Sequence, residues 1–269
     1  MKNIGRYLIL AFAAVIFLYP FLWMVIATLR PENEIGQLSL IPSQINLESY
    51  VKVFEKIPIV RALANSLFVS LSVVASVLVF ASMAGFALSR MHFRGREIIF
   101  TLVLITLVLP IQLTLIPMYI LMVKLGWVDT YLALIVPYGL TAFSVLLFRQ
   151  AFKSIPQAVI DAARIDGAGE FRILFQIFWP LSIPAFITAG ILTFMGIWNE
   201  VLWPILVVRD IELMVLPQLV TLFAVGGAAE SQLGAQLAAA TLLALPTIIA
   251  YVFFQKYFIR SMAATGIKE

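Results

Sequence analysis

Residues 62–89 read ALANSLFVSLSVVASVLVFASMAGFALS, an uncharged stretch that Arg61 precedes and Arg90 follows. The hydrocarbon core of a bilayer is about 30 Å thick, and roughly 20 residues of α-helix cross it. Inside lipid the backbone must satisfy its own hydrogen bonds, which leaves helices and closed barrels, and barrel strands are only about 10 residues long with alternating polarity. The stretch therefore predicts a membrane-spanning α-helix.

Five more stretches have a similar length and polarity, so the sequence predicts an all-α, polytopic membrane protein with six transmembrane helices. They are residues 7–29, 98–123 and 130–148, a run that begins near Ile183, and residues 231–255. The first follows Lys2 and Arg6, as a secretory signal would. Its apolar run is about twice the usual length of such a signal and has no small-x-small cleavage site, so we expect it to be retained as a helix.

The composition of the whole chain agrees with a membrane protein. Of its residues 62% are hydrophobic and 12% are charged, whereas soluble proteins have about 45–50% apolar and about 25% charged residues. So little charge cannot cover a water-facing surface of this size, which excludes a soluble enzyme or nucleic-acid binder. The absence of cysteine also excludes disulfides, thiolate metal sites and a cysteine nucleophile.

Lysine and arginine are divided unevenly between the two sides that six spans create. One side receives twelve of them and the other side six. Cytoplasmic loops carry the excess of basic residues, so we expect the first side, and with it both chain termini, to be cytoplasmic. The twelve are Lys2, Arg6, Arg90, Arg94, Arg96, Arg149, Lys153, Arg164, Arg172, Lys256, Arg260 and Lys268; the six are Arg30, Lys52, Lys56, Arg61, Lys124 and Arg209.

Several kinds of chemistry are missing from the sequence. It has no G-x-x-x-x-G-K-[ST] pattern, with which a P-loop would hold ATP phosphates, and no H-E-x-x-H pattern for zinc. Its single histidine, His92, lies in a short basic loop. Glu200 is the only ionisable residue within an apolar region, whereas ion-driven carriers usually bury carboxylates or histidines at the bilayer centre. We therefore expect the energy for any transport to come from another protein.

The longest cytoplasmic loop, residues 149–180, reads RQAFKSIPQAVIDAARIDGAGEFRILFQIFWP. After the stop at Pro156, residues 157–165 have a helical pattern, and Gly167 and Gly169 then supply a turn. Gly167 is placed to end the helix in a left-handed conformation. Such a short exposed helix between two spans suits either docking to a partner protein or an inert surface element. One side of it carries Ala158, Ala162 and Ile165, and the other side carries Asp161 and Arg164.

This loop resembles that of the integral membrane subunits of ABC importers. Their loop carries the pattern E-A-A, three residues, G, nine residues, I-x-L-P. The chain has Asp161-Ala162-Ala163, then Gly167, Ile177 and Pro180 at the same intervals. Two residues depart from the pattern, Asp161 for glutamate and Trp179 for leucine, and both keep the physical type.

Other motifs resemble the carbohydrate-uptake branch of that family, over nearly the full length of the chain. The chain is similar to the shorter permease subunit of the maltose and glycerol-3-phosphate type. The motifs are Asn65-Ser66-Leu67, Phe93-Arg94-Gly95-Arg96, Leu125-Gly126-Trp127 with Thr130, Ala163-Arg164-Ile165-Asp166-Gly167-Ala168, Trp198-Asn199 with Trp203-Pro204, and Gly266-Ile267-Lys268.

The resemblance implies a type I ABC importer permease fold, with residues 1–269 as a single transmembrane domain in the inner membrane of a prokaryote. It implies a subunit that is not an enzyme and binds no cofactor, since ATP and Mg would bind to a separate ATPase. The loop helix would dock on that ATPase as a coupling helix. The residues it assigns to coupling are Asp161, Ala162, Ala163, Asp166 and Gly167.

The resemblance also implies the partners. They are a second, larger permease subunit, two ATP-binding subunits, an extracytoplasmic solute-binding protein, a carbohydrate substrate and the lipid membrane, with no nucleic acid. The predicted outer side carries nine acidic against six basic residues, and we expect its segments 30–61 and 209–230 to receive the solute-binding protein.

A sugar pathway needs amides, hydroxyls and aromatic rings more than full charges. Side chains of these kinds occur within the predicted helices, although the aromatic ones would also suit a belt at the membrane interface. In the maltose type, as the resemblance has it, the larger permease makes most substrate contacts. The candidate pathway residues are Gln112, Thr114, Tyr138, Thr141, Thr193, Trp198 and Asn199.

Three alternatives stay open from the sequence alone. The loop motif is shared by ABC importers of other solutes, such as polyamines or phosphate. An autonomous channel or ion-driven carrier would not need the loop spacing and would bury more ionisable groups. A purely structural membrane subunit is the third alternative.

Overall fold

The computed structural model describes residues 2–36, 42–225 and 232–266. The first half of the chain forms α1 (Lys2–Ala27), α2 (Glu48–Lys56), α3 (Ile59–Arg90), α4 (Arg96–Val108), α5 (Gln112–Leu125), α6 (Tyr131–Ile135) and α7 (Ala142–Lys153). The second half forms α8 (Gln157–Ile165), α9 (Glu170–Ile173), α10 (Trp179–Leu181), α11 (Ile183–Trp198), α12 (Leu202–Val207), α13 (Leu216–Val225) and α14 (Leu233–Gly266). Short 3-10 turns form Glu32–Glu34 and Val136–Tyr138, and a π-helical turn forms Leu174–Phe178. The described residues contain no strand, which confirms the all-α prediction.

Three described helices are long and apolar enough to cross a bilayer. They are Gly5–Ala27 within α1, the whole of α3, and Leu233–Phe253 within α14. Three further pairs of helices pass the same test together but are bent at a short break. Among the described residues the number of spans is therefore three, or up to six if each bent pair is one span. The bent pairs are Arg96–Val108 with Gln112–Leu125 (106°), Tyr131–Tyr138 with Ala142–Lys153 (42°), and Glu170–Leu181 with Ile183–Trp198 (84°).

The stretch predicted as one span at residues 98–123 is two helices. α4 ends at Val108 and α5 begins at Gln112, with a 106° bend between them. Pro110 lies in the break, where it cannot donate a backbone hydrogen bond. By contrast, Pro117 and Pro246 lie inside α5 and α14, which continue past them.

The described residues form two compact units. One comprises Met1–Leu63 with Val215–Ile249, and the other comprises Ala64–Met214 with Ala250–Glu269. In the first unit, the Glu32 carboxylate accepts hydrogen bonds from the Gly234 N–H at 3.1 and 3.2 Å, at the beginning of α14. Within α1, none of the most apolar 18-residue window is buried by described residues.

The core of the second unit is aromatic where α3 meets α7. The Phe86 ring lies 5.0 Å from that of Phe178, and the Phe152 ring lies 5.1 Å from the same residue. Gly85 lets the two helices approach, since a Cβ there would lie 2.7 Å from Phe148 Cβ. Contacts this close hold α7 and the loop that follows it against α3.

Candidate functional site

The loop predicted at residues 149–180 contains α8, and its helical bounds match the prediction. Ile160 and Ala163 are buried against the rest of the unit. The side with Ala158, Ala162 and Ile165 faces outward, and 86% of Ile165 is exposed. Since only Ile160 and Ala163 of α8 are buried, the helix exposes both the apolar strip of the other three residues and the carboxyl of Asp161.

α8 ends in a left-handed glycine, as the sequence predicts. Gly167 has φ +78°. Its N–H donates to Arg164 O at 3.0 Å, and the N–H of Ala168 donates to Ala163 O at 2.9 Å. This pair of bonds is a Schellman motif, which satisfies the carbonyls at a helix end. An ion pair of 2.8 Å between Arg164 and Glu170 spans the same turn.

The beginning of α8 is tied to the end of α3 by Arg90. This guanidinium donates to Phe152 O at 3.1 and 2.6 Å, to Lys153 O at 3.3 Å, and to Ile155 O. It also donates to Gln157 Oε1 at 3.1 Å. The carbonyls at the end of α7 have no partner within that helix, so Arg90 supplies one. Sequence reasoning counted Arg90 only as a charge that indicates topology.

A hydrogen bond within α8 extends the contact between Arg90 and Gln157 along this helix. Gln157 Nε2 donates to Asp161 Oδ1 at 3.0 Å. Two side-chain bonds therefore join Arg90, the last residue of α3, to the acidic residue of the loop motif.

A second arginine joins three helices at the same end of the unit. Arg149 is 8% exposed, and its Nε donates to Leu88 O at 3.1 Å. It forms an ion pair of 3.2 Å with Glu97, and its guanidinium lies 3.6 Å from the centre of the Phe100 ring. A buried arginine is tolerated when it is paired and hydrogen-bonded in this way.

Three of the seven predicted pathway residues meet in one cavity of about 280 Å³. They are Tyr138, Thr141 and Thr193. The Tyr138 hydroxyl is buried and has no hydrogen-bond partner among the described residues. Thr141 Oγ1 donates to Ser144 Oγ at 2.8 Å. The other lining residues are Phe143, Ser144, Leu192, Gly196, Ile197 and Glu200.

The other four predicted pathway residues do not line this cavity. Gln112 and Thr114 are exposed near the beginning of α5. Trp198 is 1% exposed and stacks on Phe194 with ring centres 5.5 Å apart. A ring enclosed by protein is not part of an interfacial belt. Asn199 is exposed, and its Nδ2 donates to Met195 O at 2.7 Å. The side chain therefore pairs with a backbone carbonyl in the last turn of α11.

Sequence reasoning noted Glu200 as the only ionisable residue within an apolar region but did not place it in the pathway. Its Oε1 accepts the N–H of Trp203 at 3.1 Å, at the beginning of α12. The Trp203 ring is fully buried and donates to Ala133 O at 2.8 Å. These bonds fix the carboxyl at one wall of the cavity.

Two polar residues join loops at the other end of the unit. Asn65 Nδ2 donates to Glu212 O at 3.0 Å and to Met214 O at 2.9 Å. Asp129 Oδ1 accepts the N–H groups of Arg209 at 2.5 Å and Asp210 at 3.1 Å. The hydrogen bonds from these two backbone groups hold the pKa of Asp129 below its usual value.

Within the described part of the chain, no group of three or more histidine, aspartate or glutamate residues is placed to hold a metal ion. The polar features described above are hydrogen-bonding groups and single charges.

Comparisons with known proteins agree along the chain. Residues 59–264 match the family described as "Binding-protein-dependent transport system inner membrane component". The chain is 36% identical over 264 residues to the arabinooligosaccharides transport system permease protein AraQ of Halalkalibacterium halodurans, covering 96% of this chain and 94% of the relative. It is 29% identical to the lactose transport system permease protein LacG of Rhizobium radiobacter, covering 97% and 95%.

A solved structure gives the same result for the fold. The chain is similar, with a TM-score of 0.80 and 26% identity, to a chain in the crystal structure of a bacterial ABC transporter involved in the import of the acidic polysaccharide alginate. The similarity covers 96% of each chain. Since the family match begins at the first residue of α3 and includes the 149–180 loop and the cavity, this chain belongs to the inner membrane components of binding-protein-dependent transport systems.

Proposed function

We propose that the chain is one permease subunit of an ATP-driven importer for a carbohydrate, and that it forms half of the translocation pathway. The family and the named relatives, which carry arabinooligosaccharides and lactose, support this proposal. Membership of this family sets aside the alternatives of an autonomous channel and an ion-driven carrier. An importer of another solute class within the family is the second candidate.

The observation that carries the proposal is the exposed side of α8. Ala158, Ala162 and Ile165 form an exposed apolar strip beside the exposed Asp161, and such a strip suits docking to a partner protein. α8 is therefore the coupling helix, on which Asp161, Ala162, Ala163, Asp166 and Gly167 act. Arg90 carries its displacement to α3, since it bonds both to the end of α7 and to Gln157.

The complete importer needs other subunits. The chain has no P-loop, so a separate pair of ATP-binding subunits hydrolyses ATP with Mg, and this chain is not an enzyme. A larger, homologous permease supplies the other half of the pathway and packs against helices such as α1, whose apolar window is unburied.

The membrane arrangement follows the same proposal. Residues 1–269 form one transmembrane domain with six spans in the inner membrane of a prokaryote, and both termini lie in the cytoplasm. Outer segments 30–61 and 209–230 receive the solute-binding protein. Residues 37–41 and 226–230 of these segments, together with Ile267 and Lys268 of the C-terminal motif, lie outside the described residues.

A pair of substitutions in the loop tests the docking role. Ile165→Asp places a charge on the outward side of α8, and Phe171→Asp places one on an exposed side chain of the same loop outside α8. We expect Ile165→Asp to reduce recovery of the ATP-binding subunits with the permease pair and to abolish ATP-dependent sugar uptake. The Phe171→Asp complex should assemble and transport. Equal behaviour of the two variants would show that α8 is not the docking element.

A further inference from the structure

We propose that the cavity beside the break between Val136–Tyr138 and α7 recognises uncharged, hydroxyl-rich solutes, and that Glu200 excludes anions from it. The inference rests on the proposed function and names the class of sugar that this chain admits. The cavity holds about 280 Å³ and is lined by residues of the α6–α7 pair and of α11.

The position of the cavity favours a pathway site. The pair Tyr131–Tyr138 and Ala142–Lys153 is bent by 42°, and the cavity residues Tyr138, Thr141 and Ser144 lie at that bend, near the middle of the pair. Irregular backbone at membrane depth persists where it is buried in protein or lines a cavity. Gly139 O, in the break, accepts a hydrogen bond of 3.0 Å from Ser76 Oγ.

The walls of the cavity suit a sugar. The buried Tyr138 hydroxyl lacks a partner among the described residues, and a buried polar group is destabilising unless something pairs with it. A solute hydroxyl can supply that hydrogen bond. Thr141 and Thr193 add further hydroxyls, while Phe143 offers an apolar surface for a ring face.

The charge of the cavity is one-sided. Glu200 is the carboxyl among the described lining residues, which include no lysine, arginine or histidine. Carboxylates accept strong hydrogen bonds from neutral hydroxyls, whereas a like charge is repelled more strongly in a low-dielectric site than in water. This wall therefore distinguishes a neutral sugar such as lactose from a uronic acid polymer such as alginate.

The test measures direct binding to the purified permease–ATPase complex in nanodiscs, without the solute-binding protein. The probes are radiolabelled lactose, arabinotriose and galactobiose, with digalacturonate as an anion of the same skeleton as galactobiose. We expect the unmodified complex to prefer galactobiose to digalacturonate by at least tenfold. Glu200→Gln, which keeps an acceptor for the Trp203 N–H, should reduce that preference about tenfold, and Glu200→Asp should restore it.

Two tyrosine variants separate binding from folding. Tyr138→Phe removes a hydroxyl that has no partner among the described residues, so complex recovery should be unchanged and thermal stability unchanged or higher, while neutral sugars bind severalfold more weakly. Tyr131→Phe removes a hydroxyl that bonds to Asn65 Oδ1 at 2.8 Å outside the cavity, so it should lower thermal stability and leave binding unchanged.

The outcomes distinguish this inference from the proposed function. If the unmodified complex binds the neutral probes but Glu200→Gln keeps the full preference, or Tyr138→Phe lowers only stability, the cavity is not the recognition site. If no neutral probe binds and none stimulates ATP hydrolysis with the solute-binding protein present, the proposed sugar import itself is wrong.

Discussion

Replacing Gly167 by alanine should loosen the end of α8 through backbone strain alone. A Cβ at Gly167 would meet nothing within 4 Å, so no steric contact is involved. The φ of +78° is in the left-handed region, which costs an L-residue roughly 1–2 kcal/mol. Gly169 is a matched control, because its Cβ position is equally open and its φ is −74°.

The comparison isolates the strain. Both substitutions restrict the unfolded chain by a similar amount, about 0.4–1 kcal/mol, so this effect cancels between them. The remaining difference between the two variants, about 1–2 kcal/mol, changes the ratio of open to closed forms of the Schellman motif about 5- to 30-fold. α8 buries only Ile160 and Ala163, so the strain should appear as local opening while the membrane helices stay folded.

Hydrogen exchange measures the opening, and transport measures its effect. The N–H groups of Asp166, Gly167 and Ala168 donate the bonds that close α8. In Gly167→Ala they should exchange about 5- to 30-fold faster, and fewer sugars should enter per ATP hydrolysed. Gly169→Ala should exchange no faster than the unmodified complex and should keep its coupling. Equal exchange rates and equal coupling in the two variants would refute the argument.

Three further substitutions test other contacts. Gly85→Val should lower the thermal midpoint of the purified complex, at a cost of roughly 1–3 kcal/mol, because its Cβ would lie 2.7 Å from Phe148 Cβ. Arg90→Lys keeps the charge but loses the guanidinium fork, so sugar taken up per ATP should fall while complex recovery stays near normal; unchanged coupling would mean that Arg90 only anchors α7. The pKa of Asp129 is lowered from its ordinary value of 3.8. The ionised carboxylate therefore stabilises the loop at Arg209 fully at pH values above 3.8, and this stabilisation is lost as the pH falls through the lower pKa of the folded protein. Asp129→Asn should remove this acid dependence in hydrogen exchange of the loop at Arg209; the same acid dependence in the variant would assign it to another group.

Local features of the chain were predictable from the sequence. The bounds of α8 and the left-handed Gly167 follow from a stop at Pro156 and from the choice of glycine, both of which act over a few residues. The helical class follows from the length of the apolar stretches. These predictions succeed because hydrophobic period and helix ends are encoded within one or two turns.

Features that depend on distant partners were not predictable. Pro110 lies in the break between α4 and α5, but the 106° angle there depends on how these two helices pack. Arg90 and Arg149 count as topology charges until their partners, more than fifty residues away in sequence, are known. Choosing polar and aromatic residues within the predicted helices found three residues of the cavity. It also selected Gln112 and Thr114, which are exposed, because residue type alone does not show how deeply a side chain is buried or which residues it contacts.

The unburied window of α1 has a consequence for the synthesis of the importer. A transmembrane helix satisfies its backbone bonds within itself, so α1 can insert without help from the rest of its chain. Described residues of its own chain bury none of its most apolar window, so protein packing for these side chains would come from another membrane helix, such as one of the proposed second permease. Until such a helix packs against it, a newly made copy exposes the unpacked side chains of α1 to lipid.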